Sequence, residues 1–180
     1  MGAKDQPTRG KVSGASVPHT AVLFVCTGNI CRSPIAEAVF RKLVDQAGLS
    51  DRVTIDSAGI GDSQIGQPPD PRALAAVSRR GYAMPRRRAR QVAQRDFERF
   101  DWILAMDRSH LRELETMRPL LYPGHLGLFL KMADGANGDD VPDPYFGGSQ
   151  EFDRVIELAE RGAQGLLLAI RRQLAAKGSA

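Results

Sequence analysis

The chain has 180 residues, of which 42% are hydrophobic, and a formal net charge of +4. That is apolar material for one core in one domain. No apolar run approaches the roughly 20 residues of a membrane-spanning helix, and two cysteines do not make the disulfide framework of a secreted scaffold.

Residues 1–20 are small and polar, contain Pro and Gly, and lack the apolar centre of a secretory signal, so a flexible tail is expected there. A single domain is expected over 21–176, with a short tail at 177–180. The cytoplasm is the expected compartment, with no membrane partner. Residues 21–25 (AVLFV) are β-forming and run into the loop CTGNICRSP. After Pro34, Ile35, Val39, Leu43 and Ala47 recur every four positions, and Gly48 stands where a helix would stop. Strands are expected at 53–59, 101–107 and 126–130, and helices at 73–82 and 109–114. The last segment places Phe152, Ile156, Ala159, Ala163, Leu167, Ile170 and Leu174 on one helical face that packs on the sheet. Alternating strands and helices predict an α/β fold, a parallel sheet with helices on both sides and ligands beyond the carboxyl ends of its strands. Charge is uneven. Arg79 to Arg99 holds eight arginines against Asp96 and Glu98, a local +6 that leaves the remainder slightly acidic. A basic face attracts phosphate-bearing or acidic partners. No nucleic-acid-binding module accompanies it, so no nucleic-acid partner is expected.

The loop is built for an anion. Successive backbone N–H groups entering a helix N-terminus cradle negative charge, and the same field favours a thiolate. Cys26 opens the loop, and Arg32, five residues on, offers a planar fork matched to phosphoryl oxygens. Thr27, Gly28, Asn29, Ile30 and Cys31 lie between them as the expected phosphate-binding turn. Gly28 turns without a Cβ, and Asn29 tolerates left-handed backbone. Ser33 can donate to the sulfur and make it a better leaving group. No Gly-Lys-Ser/Thr nucleotide loop and no Cys-x-x-Cys pair is present. Displacing an ester oxygen also needs a proton donor. Asp143, held between Pro142 and Pro144 and followed by Tyr145 and Phe146, is the candidate, with the two rings as a wall for an aryl group.

With VCTGNICRSP, DSAG (56–59), PPDPRA (68–73), ARQV (89–92), FDWILAMDRSHLREL (100–114) and DPYFGG (143–148) in view, the chain resembles the low-molecular-weight protein-tyrosine phosphatases from about Ala21 to about Leu174. The resemblance implies a three-layer sandwich around a four-stranded parallel sheet. It also implies a two-step reaction through a phosphocysteine, without metal or cofactor. Cys26 would be the nucleophile, Arg32 the phosphate clamp and Asp143 the general acid and then the base. Asn29, Ser33 and Ser57 would support the loop by hydrogen bonds, and Asp107 would be a buried structural acid. Expected partners are phosphotyrosine proteins, a tyrosine kinase among the candidates, together with phosphate-like oxyanions. Two positions depart from the family pattern. Ser63 stands where the second cleft wall usually carries an aromatic residue, and Arg87 where a histidine usually supports the loop. Cys31 is expected to form a reversible disulfide with Cys26 when that sulfur is oxidised. Arsenate reduction would need further cysteines, a phosphoarginine phosphatase commonly has threonine in place of Ile30, and a silent phosphopeptide-binding module would lack Cys26 or Asp143.

Overall fold

The structure, a computed structural model, describes residues 17–133 and 140–178. Residues 1–16 of the expected tail lie outside the described residues, as do 179 and 180. Strand β1 (Thr20–Cys26) is buried along its whole length and forms the spine of the molecule. It pairs in parallel with β2 (Val53–Gly59) on one side and β3 (Trp102–Ala105) on the other, and β4 (His125–Leu128) adds to β3. The order is β2-β1-β3-β4, the four-stranded parallel sheet that was expected.

Because side chains alternate along a strand, β1 feeds two cores. Val22, Phe24 and Cys26 pack with α1 (Arg32–Gln46), α2 (Pro71–Arg79) and α5 (Ser149–Gly178). Phe24 meets Phe40 and Phe129 edge-on, at 5.8 and 5.0 Å between centroids. Leu23 and Val25 face the opposite layer, with Phe97 of α3 (Asp96–Arg99) and Leu114 of α4 (Arg108–Met117). The sandwich therefore has three layers. Among the described residues no helix is long and apolar enough to cross a membrane.

Several boundaries differ from expectation, each for a local reason. Helix α2 starts at Pro71 instead of 73, because Asp70 caps it (Arg72 N–H to Oδ1, 2.8 Å) and Pro71 suits the first turn. It ends before Gly81, whose φ of 75° breaks the helix. Strand β3 stops at Ala105, and Asp107 turns out to cap α4, which runs to Met117. Strand β4 ends at Leu128, where Phe129–Met132 wind into a 3-10 turn. The short α3 was not expected. In α1, Phe40 and Val44 are buried while Leu43 and Ala47 are only half-buried; in α5 Leu166 is buried and Leu167 half-buried. A spacing of four drifts around a helix of 3.6 residues per turn, so the buried stripe shifts by one position. Thr20 belongs to β1 and Pro18 accepts a hydrogen bond from Arg52 (3.1 Å), so the end of the tail is tied to the domain. At the other end α5 continues to Gly178.

Candidate active site

The carboxyl ends of β1, β2 and β3 lie level, with Cys26 opposite Gly59 and Val25 opposite Ala105. Everything chemical gathers beyond that edge. The loop from Cys26 turns back into α1, and it can do so against β2 because Gly59 has no side chain: a Cβ there would sit 2.8 Å from the Thr27 carbonyl oxygen. Asn29 takes φ 57°, alone among described non-glycine residues in the left-handed region, as anticipated. Its backbone N–H donates to the Cys26 sulfur at 3.3 Å.

A hydrogen-bonded chain runs down from the sulfur. Cys26 Sγ lies 3.0 Å from Ser33 Oγ. Asn29 Nδ2 donates to both Ser33 Oγ (3.0 Å) and Ser57 Oγ (2.9 Å). Ser57 in turn donates to Glu37 Oε2 at 2.7 Å. Glu37 is almost fully buried, and Arg41 covers its other oxygen at 2.8 and 2.9 Å. Asn29, Ser33 and Ser57 thus meet as expected, while Glu37 was missed in the sequence. Its signal was its place one helical turn after Ser33, an acid within an otherwise apolar stretch of α1. Arg87 does not bind the loop directly. It hydrogen-bonds Asp56 and stands 3.9 Å from Glu37 Oε1, while the Arg90 N–H caps Asn29 Oδ1 at 3.0 Å.

On the other side, Arg32 is 4% exposed and held by four hydrogen bonds. Its Nη1 donates to Asp107 Oδ2 (2.8 Å) and the Val141 carbonyl (3.2 Å); its Nη2 donates to Thr27 Oγ1 (3.0 Å) and Asp143 Oδ2 (2.9 Å). Two carboxylates balance the buried cation. Asp107, expected to be buried, is instead part-exposed, because it also caps α4 at the surface through the N–H groups of Ser109 and His110. Burial pushes its carboxyl up, but hydrogen bonds from Ser109, the His110 N–H and Arg32 outweigh it and hold the group below the usual carboxylate range.

His110 completes this cluster and was also missed; its position three residues after Asp107 was the available sign. The buried ring lies 2.8 Å from Thr27 Oγ1 through Nε2. The Asp107 carboxylate beside Nδ1 favours the ring proton on that nitrogen, so Nε2 accepts from the Thr27 hydroxyl. Nδ1 faces Asp107 Oδ1 at 3.2 Å, outside hydrogen-bond geometry. Burial pushes the imidazole down to about 4, so it is neutral near pH 7.

The sulfur floors a cleft of about 210 Å³. Thr27, Gly28, Ile30, Cys31 and Arg32 form its base, Asp143, Tyr145 and Phe146 one wall, and Ser63 and Gln64 the other. Tyr145 and Phe146 pack edge-on (5.0 Å), and Arg72 lies over the Tyr145 ring at 5.6 Å. Gln64 covers Gly28 so closely that a Cβ there would meet its Cγ at 2.9 Å. Cys31 is a free, buried thiol pushed up to about 12, chiefly by burial and then by Asp70. Among the described residues no group of three or more His, Cys, Asp or Glu is placed to hold a metal ion.

Comparison with known proteins agrees with the fold. The family model described as low molecular weight phosphotyrosine protein phosphatase matches residues 21–177. The low molecular weight protein-tyrosine-phosphatase of Streptomyces coelicolor is 46% identical over 156 residues, 85% of this chain and 94% of its own. The crystal structure of YfkJ from Bacillus subtilis superposes with a TM-score of 0.82 at 38% identity, covering 88% of this chain and 99% of that one. A protein tyrosine phosphatase from Entamoeba histolytica, solved with Hepes in its active site, gives 0.82 at 35% identity, covering 86% and 98%. Sequence, sheet order and the cysteine loop at the end of β1 together make this chain a member of the low molecular weight protein-tyrosine phosphatases, a family of hydrolases.

Proposed function

We propose that the chain hydrolyses phosphotyrosine monoesters in two steps on the Cys26 sulfur. The observation that carries this reading is the convergence on one cleft of that sulfur, the Arg32 guanidinium and the Asp143 carboxyl, the last two 2.9 Å apart. The Cys26 thiolate attacks phosphorus; the S–P bond forms as the ester P–O bond breaks, and protonated Asp143 gives its proton to the departing phenoxide. Asp143, now ionised, takes a proton from water; the water oxygen bonds to phosphorus, the S–P bond breaks, and phosphate and thiolate are released. No cofactor enters the balance. An incoming dianion competes with Asp143 for Arg32 Nη2 and frees the carboxyl to take up its proton. Ser33 has one proton and two acceptors, the sulfur at 3.0 Å and the Ala58 carbonyl at 3.2 Å. Turning it to sulfur stabilises the thiolate as attacker and as leaving group.

The substrate ring would rest on Tyr145 and Phe146, while Ser63 and Gln64 give a polar opposite wall. Cys31, protonated at neutral pH, would not compete as nucleophile. After peroxide converts Cys26 to a sulfenic acid, the Cys31 sulfur would displace its hydroxyl as water and leave a disulfide that thiols reduce. Such reduction, and a nucleophile that works as a free thiol, fit the cytoplasm. Phosphotyrosine proteins, a tyrosine kinase among them, are the proposed partners.

Cys26→Ser should abolish turnover but keep the binding of inorganic phosphate, a substrate analogue that needs no bond to sulfur. Asp143→Asn should slow aryl phosphates with poor leaving groups by about 10²–10⁴-fold, and those with good leaving groups far less. Wild-type rates on poor leaving groups in Asp143→Asn would refute the acid role. Phosphoarginine peptides assayed alongside should react far more slowly.

A further inference from the structure

Half of the basic segment is neutralised in the fold: four of its eight arginines meet carboxylates. Arg79 and Arg80 each reach an acid of α5 at 3.2 Å, Asp153 and Glu157. Arg87 and Arg90 share Asp56, and Arg90 also holds Asp96 at 2.9 Å. Arg86 and Arg88 differ. Among the described residues Arg86 makes no hydrogen bond or ion pair, and Arg88 donates to the Gly66 carbonyl (2.9 Å) without meeting a carboxylate. Both stand exposed on the rim of a groove of about 320 Å³ whose apolar surface includes Pro68, Leu74, Met84 and Pro85.

The groove is joined to the cleft by one loop, between β2 and α2. Its Ser63 and Gln64 form the cleft wall, and its Pro68 and Pro69 form the groove edge. Backbone bonds from Gly66 N–H to Ala89 (2.8 Å) and from Ala89 N–H to Gln67 (2.8 Å) fix the two sides together. Gly66 is two residues from Gln64, and two residues span at most about 7 Å. With its bond to Gly66, the Arg88 guanidinium lies within roughly 12 Å of the cleft wall, three to four residues of an extended chain at about 3.3 Å each. Prolines at 68, 69, 71 and 85 stiffen the groove, so little freedom is lost on binding. Nearby acids offer little competition. Asp70 is taken by Arg72 at 2.7 Å, and Asp62 is the one acid on loop 60–69.

We propose that this groove docks an acidic segment of the phosphotyrosine protein substrate, three to six residues from the phosphotyrosine, with Arg86 and Arg88 as its charge contacts. The proposal rests on the phosphotyrosine reading of the cleft and extends it to a substrate class. The apolar floor takes the aliphatic parts of the docked chain, and the two guanidinium groups take its carboxylates.

The test compares wild type with Arg86→Glu/Arg88→Glu on p-nitrophenyl phosphate and on two phosphotyrosine peptides. One peptide carries glutamates three to six residues on each side of the phosphotyrosine; the other carries glutamines there. Wild type should favour the glutamate peptide by about tenfold in kcat/KM at low salt, and ~0.5 M salt should erase most of that preference. The double reversal should abolish or invert the preference and leave p-nitrophenyl phosphate unchanged. Arg86→Gln/Arg88→Gln, which adds no negative charge, should abolish it as well. Equal wild-type rates on both peptides would overturn the docking and leave the phosphatase reading standing. So would a preference that survives in either variant, or a fall on p-nitrophenyl phosphate as large as that on the glutamate peptide. Binding of anionic vesicles or RNA with equal peptide rates would give the groove to another partner and equally overturn it. Absence of hydrolysis of all three substrates by wild type would instead refute the cleft assignment.

Discussion

His110 is a positioning residue for Arg32, acting through Thr27, and its worth can be measured apart from folding. His110→Phe keeps an aromatic ring in the buried site but removes the acceptor for the Thr27 hydroxyl. Losing one such bond is worth about 1–1.5 kcal/mol. The expected result is a fall of about tenfold in kcat/KM, larger than any change in p-nitrophenyl phosphate KM, with vanadate binding weakened in parallel. His110→Asn, which can still accept a hydrogen bond, should recover part of the loss. If both variants retained wild-type kcat/KM, the positioning role would be wrong. Residue chemistry was legible in the sequence where it was local: Cys26, Arg32 and Ser33 share one turn, and Asn29 declared its left-handed backbone by type. It was not legible where partners meet across the fold. Glu37 and His110 carry ordinary helical spacing, and only the approach of Ser57 and Thr27, contributed by other elements, gives them their roles.

Among the elements, α5 depends most on a close approach that sequence periodicity does not reveal. Its apolar face predicted a packed helix, yet what it packs on includes the 3-10 turn after β4, whose first two residues, Phe129 and Leu130, were expected to be strand. Gly165 lies where a Cβ would come 1.7 Å from the Met132 carbonyl oxygen, part of that turn's backbone. Gly165→Ala gains up to about 1 kcal/mol in helix propensity but forces α5 or the turn to move, at a cost of about 3 kcal/mol. The net loss of about 2 kcal/mol should lower Tm by about 4–8 °C in calorimetry. The exposed neighbour Gln164→Ala serves as control and should leave it within about 1–2 °C. Equal Tm values would show that the contact relaxes freely. Strands were the more legible elements because a short run of apolar residues marks each of them. Helix ends were less so: Asp70 and Asp107 act as caps only because the chain turns there, and the same letters serve equally in loops.

For the whole molecule, the buried imidazole links protonation to stability. In the folded chain His110 takes a proton only near pH 4, against about 6.5 when unfolded. Between those values the unfolded chain binds more protons, so stability falls as pH drops through the window and this contribution levels off below it. Asp107, Asp143 and Asp140 face the ring and favour its protonation, Arg32 opposes it, and burial outweighs them. Denaturant midpoints at pH 7, 5.5 and 4 should show a loss of up to about 3 kcal/mol that is absent from His110→Asn. Parallel curves for the two proteins would assign the acid sensitivity elsewhere. The single tryptophan offers a matching optical handle. Trp102 begins β3 at the edge of the sheet remote from the thiol, half-buried and hydrogen-bonded to Gln173 at 2.9 Å. Its emission should therefore stay silent when vanadate fills the cleft and change only when the domain melts, so one cuvette can separate occupancy from collapse.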